Sequence, residues 1–390
     1  MSLAEVKHQA GAQRRIQRAM ARDRIPHAYL FHGPDGVGKE KLALGLARLL
    51  LCEDPLERTI DGNDSAAVGL ERLRDGCGVC QACRSVVART HPDLHLIYRQ
   101  LNREHPKPEV RKRKALDIGV DVLRHFVIDT VGLTPTLGRG KVYIIREADR
   151  ITTQAQNALL KTLEEPPGAT VIILLAAATD RLLPTTLSRC QIVRFDALPT
   201  EFVRGRLAES GLGLPAEQTL WYAQVGAGSL GRAVEHAADK LFEVNQRLLV
   251  GMAALASGPE GTPFSPGNLA KAWIDEAKAL GELHRKRDPE ISDTEAGRRG
   301  LTALFQLAST WFADLLRLLS EAGPAVVNVS HRSELESSAA VVDAGAAIEA
   351  VNRLAEARRQ LDLNVNTQLC VEVVINDLAR ICRGSAASTV

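Results

Sequence analysis

Between residues 119 and 195 the chain alternates uninterrupted apolar runs with helical patterns. A helix is expected over 119–130. "KVYIIR" (141–146) reads as a buried strand. "TTQAQNALLKTLEE" (152–165) reads as a helix stopped by Pro166 and Pro167, because the residue before a proline is pushed out of the helical region. "TVIILLAA" (170–177) and "CQIVRF" (190–195) supply two more buried strands. Strands apolar on both faces have no side to turn to water, so they must lie in a parallel sheet covered by helices above and below. Two earlier runs, "AYLFH" (28–32) and "DLHLIY", are candidates for the same sheet. After Leu198 no strong strand signal returns. "LTALFQLASTWFADLLRLL" (301–319) and much of 344–382 carry helical apolar stripes, and "SGPEGTPFSPG" (257–267) reads as a linker. The expected architecture is an α/β domain to residue 197, followed by two helical domains, 198–238 and 239–390.

"AYLFH" runs directly into "GPDGVGKE" (33–40), and a helix from about Gly38 to Leu51 follows, with Leu42, Leu46, Leu49 and Leu50 on its apolar side. Strand, glycine loop, lysine and helix are the context a phosphate-binding loop requires. Gly33, Gly36 and Gly38 would let backbone N–H groups converge on phosphate oxygens. Lys39 and the helix N-terminus add positive charge. A hydrolytic loop also needs a Ser or Thr after the lysine and an acidic residue ending a neighbouring strand, which together hold Mg²⁺. Here those positions are Glu40 and Arg146. A cation about 4 Å from a metal ion repels it by about 4 kcal/mol per charge pair at an effective dielectric near 20. Magnesium is therefore not expected. A direct Glu40–Arg146 pair across the vacated position is the alternative use of the two charges. The glycines and Lys39 leave ATP or ADP binding without Mg²⁺ an open question.

"CGVCQAC" places Cys77, Cys80 and Cys83 at the spacing that aims thiolates at one metal ion. Tetrahedral zinc with four sulfurs is the common outcome. Cys52, at the end of the first helix, is the expected fourth ligand and His91 the runner-up. Such a module, about 52–90, is structural and implies no catalysis. The chain has seven cysteines, an odd count that speaks against a disulfide framework. The first fifteen residues lack the apolar core of a signal peptide, and the longest apolar run is about half a bilayer span. A cytoplasmic protein with no membrane association is expected. A net charge of +2 and the lack of an aromatic–basic stripe speak against a DNA binder acting alone. The basic stretch 99–114, with two prolines, reads as a solvated loop.

"HAYLFHGPDGVGK", "CGVCQAC", "THPDLHLI", "KVYIIREADRI", "NALLKTLEEPP" and "LLPTTLSRC" occur in this order. Together they resemble the bacterial clamp-loader subunits of the AAA+ class, strongly over 20–197 and weakly again at "LDLNVNTQLCVEVVINDL". The resemblance implies an AAA+ module, a helical lid (198–238) and a helical collar (239–390) that joins a hetero-pentamer with tau/gamma-type motors and a delta subunit. It implies a machine that uses ATP to place a sliding clamp on primed DNA during replication, as an accessory to a DNA-directed DNA polymerase. It makes Arg189, in "SRC", an arginine finger acting in trans on a neighbour's ATP. The lid motif G-S-x-R stands here as "GSLGR", with Gly231 in the arginine's place and Arg232 one residue on. These departures favour a rigid stator that has lost its own ATPase. The alternative is a hydrolytically active tau/gamma-type motor.

Overall fold

The computed structural model describes residues 2–22, 24–59, 72–113, 115–137, 139–257, 265–289, 291–320, 326–363 and 365–387. The chain divides into two compact units: 1–199 with 228–231, and 200–227 with 232–390.

The first unit is built on a five-stranded sheet in the order β4-β5-β6-β1-β7, with every pairing parallel. Its strands are β1 (Ala28–His32), β4 (Leu94–Ile97), β5 (Lys141–Ile145), β6 (Thr170–Ala176) and β7 (Gln191–Arg194). The three central strands carry the most apolar sequence. β5 and β6 are buried along their whole length, and β1 is buried except at His32. Edge strand β7 alternates, as a strand with one face and one edge in water should. β2 (Leu56–Thr59) and β3 (Arg72–Asp75) form a separate antiparallel pair between Cys52 and Cys77. The polar insertion is thus a small ribbon at its ends, and residues 60–71 lie outside the described residues.

The helix Lys39–Leu51 follows β1 through the glycine loop, and the helix Thr153–Glu164 ends before Pro166 as expected. Residues 120–131 are helical with a widened π-type turn at Arg124–Ile128. The loop expected over 99–114 is corrected: Arg99–Glu104 forms a 3₁₀-helix and Pro108–Arg111 a short α-helix. Proline at the first position of that helix costs no hydrogen bond, because the N–H it lacks has no helical partner there.

Among its described residues the second unit has helices as its only regular elements. Its longest helices are Pro266–Arg287, Asp293–Leu319, Ala344–Asp362 and Thr367–Ala387. Asp314, wholly buried, accepts the backbone N–H groups of Val327 and Asn328, each at 2.9 Å. Asn328 in turn receives the Trp221 indole N–H at 3.2 Å, tying early and late helices together. Among the described residues no helix is long and apolar enough to cross a membrane.

Candidate functional site

The glycine loop lies where β1 ends and the helix Lys39–Leu51 begins. Gly36, at φ +70, takes a conformation that side chains disfavour, and a Cβ there would lie 2.5 Å from the Cα of Gly231. The Gly231 N–H donates to the Gly36 carbonyl at 3.3 Å. The Ser229 hydroxyl donates to the Asp35 carbonyl at 2.5 Å. Gly231 therefore does what an arginine there could not: it lets its own backbone rest on the tip of the loop. Lys39 is turned inward as well. Its ammonium donates to the Gly33 and Pro34 carbonyls, at 2.5 and 2.8 Å, and to Asp35 Oδ1 at 3.1 Å. Gly33, Gly36, Gly38 and Lys39 thus form the loop expected, but its lysine is spent on the loop's own oxygens.

Glu40 Oε1 accepts from Arg146, which follows β5, and from Arg89 Nη2 at 2.9 Å. Arg146 also lies over the ring of Tyr98, 5.9 Å from its centroid. The direct Glu40–Arg146 pair, left open by the sequence against both side chains pointing to solvent, is present. Arg89 was missed, because a lone arginine just past the helix Gln81–Ala88 carries no sequence signal. Glu147 pairs with Arg99 Nε at 2.7 Å rather than facing Glu40. A divalent cation beside Glu40 would share it with two guanidiniums, so the donor set does not fit magnesium.

Cys52, Cys77, Cys80 and Cys83 come together, all four sulfurs within 4.8 Å of one another. The closest pairs, Cys77–Cys83 and Cys52–Cys80, are 3.9 and 4.0 Å apart. Four sulfurs at about 2.3 Å from one tetrahedral ion would stand about 3.8 Å apart, so the cluster fits a metal such as zinc. Backbone N–H groups of Cys77, Cys80 and Cys83 point at Cys52, Cys77 and Cys80 sulfurs at 3.2–3.4 Å. Such donors favour the thiolate form. Gly78, at φ +83, makes the turn between Cys77 and Cys80. His91 stands apart: it is buried, and its Nδ1 accepts the Asp93 N–H at 3.1 Å. The support beneath the cluster was also missed. Asp75, wholly buried, pairs with Arg48 at 2.8 Å and accepts the Leu3 and Gly76 N–H groups and the Ser2 hydroxyl. Its place two residues before Cys77, and that of Arg48 one turn before Cys52, is the only hint in the sequence.

Arg189 follows the short helix Pro184–Leu187 and is half-buried. Its Nε donates to Glu164 Oε1 at 2.6 Å, and its Nη2 reaches the same oxygen. Nη1 donates to the Thr185 carbonyl at 2.9 Å. Glu164 belongs to the "LEEPP" run that ends its helix. Cys190, beside the finger candidate, packs against the sheet's core, and burial pushes its thiol up to about 12.

Residues 8–199 match the family model described as DNA polymerase III, delta subunit. The DNA polymerase III subunit delta' of Pseudomonas aeruginosa is 40% identical over 164 residues, 42% of this chain and 41% of that protein. The subunit delta' of Escherichia coli K12 is 32% identical over 258 residues, 66% of each chain. The DNA polymerase III subunit tau of Salmonella typhimurium is 35% identical over 207 residues, 53% of this chain and 27% of that protein. The chain thus spans about half the length of the curated relatives it matches. The longest of these three matches is to a delta' subunit. The chain belongs to the DNA polymerase III delta family of clamp-loader proteins, among the members named subunit delta'.

Proposed function

We propose that this chain is the delta' stator of a clamp loader: it hydrolyses no ATP itself and lends Arg189 to a neighbouring subunit's ATP. The observation that carries the reading is the Glu40 ion pair. An engine of this type needs magnesium between the loop and β5, and there Glu40 and Arg146 are committed to each other, with Arg89 also on Glu40. The inward-turned Lys39 and the Gly36–Gly231 contact support the same reading.

Arg189 is the complementary half. A guanidinium placed against a transferring γ-phosphoryl group neutralises the charge spreading over its oxygens. In the isolated chain Glu164 holds it at the surface. The partners in this reading are tau/gamma-type motors and a delta subunit in a hetero-pentamer, with the sliding clamp and primed DNA engaged by the assembly in the cytoplasm. The division into AAA+ module, lid (198–238) and collar (239–390) belongs to the same proposal. Zinc is the ion we assign to Cys52, Cys77, Cys80 and Cys83, where it would brace the helix Lys39–Leu51 against the helix Gln81–Ala88.

The test is reconstitution with motor and delta subunits, comparing wild type with Arg189→Ala. The variant should co-elute with the assembly, because the side chain is not part of a core. Turnover at the adjoining site should fall by roughly 10³-fold or more. Unchanged ATPase in a fully assembled variant refutes the finger. Steady hydrolysis by the isolated wild-type chain instead establishes the motor reading.

A further inference from the structure

Glu164 closes the helix Thr153–Glu164, just ahead of Glu165 and Pro166. A carboxylate is poorly placed there, because the carbonyl end of a helix favours cations. A residue that works against its own helix is expected to serve something outside it. What Glu164 serves is Arg189, 25 residues on. Two acceptors of Arg189 belong to its own segment, the Thr185 carbonyl at 2.9 Å and the Ser188 hydroxyl at 3.4 Å. Among the described residues Glu164 is the one acceptor from another element, and it takes both Nε, at 2.6 Å, and Nη2. The backbone of the segment is already fixed. Gln156, buried on the same helix, donates to the Arg181 carbonyl at 3.0 Å and accepts the Leu183 N–H at 2.8 Å and the Thr186 hydroxyl at 3.3 Å. Cys190 anchors the next residue against the sheet's core. What remains to be set is the direction of a long side chain, and Glu164 sets it.

We infer that Glu164 is a positioning residue for the arginine finger. It grips the Nε edge of Arg189 and so presents the end of the guanidinium to a phosphoryl group held by a neighbouring subunit. The inference rests on the finger reading of Arg189 proposed above. A guanidinium carries five N–H donors in a rigid fork, enough for two partners on different edges. Glu164 takes Nε and one N–H of Nη2, and Thr185 takes one of Nη1. Beyond these, Nη1 meets only the Ser188 hydroxyl, and the second N–H of Nη2 has no acceptor among the described residues. A donor fixed before the reaction need not be ordered in the transition state, whereas a loose arginine must give up the rotamer freedom of a long side chain. The opposite use of the pair is a latch that withholds the finger until phosphate displaces Glu164. A latch should cover the end of the fork; here the carboxylate covers its side and leaves the end open. The two uses also differ in sign, because removing a latch speeds turnover and removing a support slows it.

The experiment reconstitutes the full chain with motor and delta subunits and measures ATP turnover. It compares wild type, Glu164→Ala, Glu164→Gln, Arg189→Ala and the double variant Glu164→Ala, Arg189→Ala. All should co-elute with the assembly and melt with the wild type, since exposed ion pairs add little stability. At saturating ATP, Glu164→Ala should slow the Arg189-dependent part of turnover roughly tenfold, short of the ~10²-fold that a 1 Å misplacement can cost. KM for ATP should stay within about twofold, because the finger meets charge that develops only in the transition state. Glu164→Gln keeps an oxygen but loses the charge, so its turnover should lie between wild type and alanine. That variant carries the comparison alone if the alanine variant does not assemble. In the Arg189→Ala background Glu164→Ala should change nothing further, because it acts only through the guanidinium. A merely structural glutamate would slow turnover in both backgrounds. Turnover in the Glu164 variants equal to or above wild type, with Arg189→Ala slow, overturns the inference and leaves the finger standing. A further loss in the double variant does the same. Unchanged turnover in Arg189→Ala removes the finger and this inference together.

Discussion

Glu40, held by Arg146 and Arg89, and Asp75, held by Arg48 and more distantly by Arg58 at 3.7 Å, do different things for the molecule. Glu40 is about a third exposed, and its partners Arg146 and Arg89 are partly in water. Exposed pairs of this kind contribute up to about 1 kcal/mol. Asp75 has no exposed surface, and Arg48 opposite it has almost none. Removing one charge from such a pair strands the other, at about 3–5 kcal/mol. Glu40→Gln should therefore lower the unfolding free energy measured in urea by less than about 1 kcal/mol, and Asp75→Asn by several times more. A Glu40→Gln cost equal to that of Asp75→Asn would mean the pair beside the loop braces the fold rather than filling a metal position. Glu40 and Arg146 could be paired from sequence because an active loop aims both positions at one ion. Asp75, Arg48 and Arg89 could not, since long-range ion pairs leave no periodicity, and each partner looks like a surface residue until the chain is folded.

The elements around the cysteines show where local pattern is sufficient. C-x-x-C-x-x-C fixes a turn and the first turn of a helix, and Cys80 caps the helix Gln81–Ala88 while facing the cluster. The fourth ligand needs the helix Lys39–Leu51 to end beside that turn, which the leucine spacing from Leu42 to Leu50 foretells. In the same way the unbroken apolar runs of β5 and β6 made the parallel sheet legible. The stretch 99–114 was misread because prolines suggest loop, whereas Pro108 starts a helix. If the cluster holds zinc, the purified chain should carry about one zinc per molecule by elemental analysis. Chelation should lower the melting temperature by on the order of 5 °C or more, and re-addition of zinc should restore it. Cys80→Ser should lose most of the metal. A metal-free chain whose melting ignores chelator would make the four thiols a buried cluster and nothing more.

Across the whole molecule, acid is the condition that reaches both units at once. Burial holds the imidazoles of His32, His91 and His95 in the first unit below their ordinary range. In the second unit burial, aided by the charge of Arg232 and opposed by Asp239, brings His236 down to about 4. A folded imidazole that stays neutral while the unfolded one protonates means that the unfolded chain binds more protons. Stability from His236 is thus complete above about pH 6.5, falls as pH drops towards 4, and has been lost below it, and the other three imidazoles act in the same direction. For His236 alone the gap of about 2.5 pH units corresponds to about 3 kcal/mol. Asp239 acts in the same direction at lower pH. Its own burial raises its pKa, but His284 and Arg287 outweigh that and keep it ionised, so protonating it costs further stability. Urea unfolding of the wild type at pH 7.5, 6, 5 and about 4 should show stability decreasing through this window. His236→Gln, which cannot take up the proton, should show a fall smaller by about 3 kcal/mol. Equal pH slopes in wild type and variant would mean that His236 reaches water in the folded chain, and that acid loosens the molecule through the sheet's histidines instead.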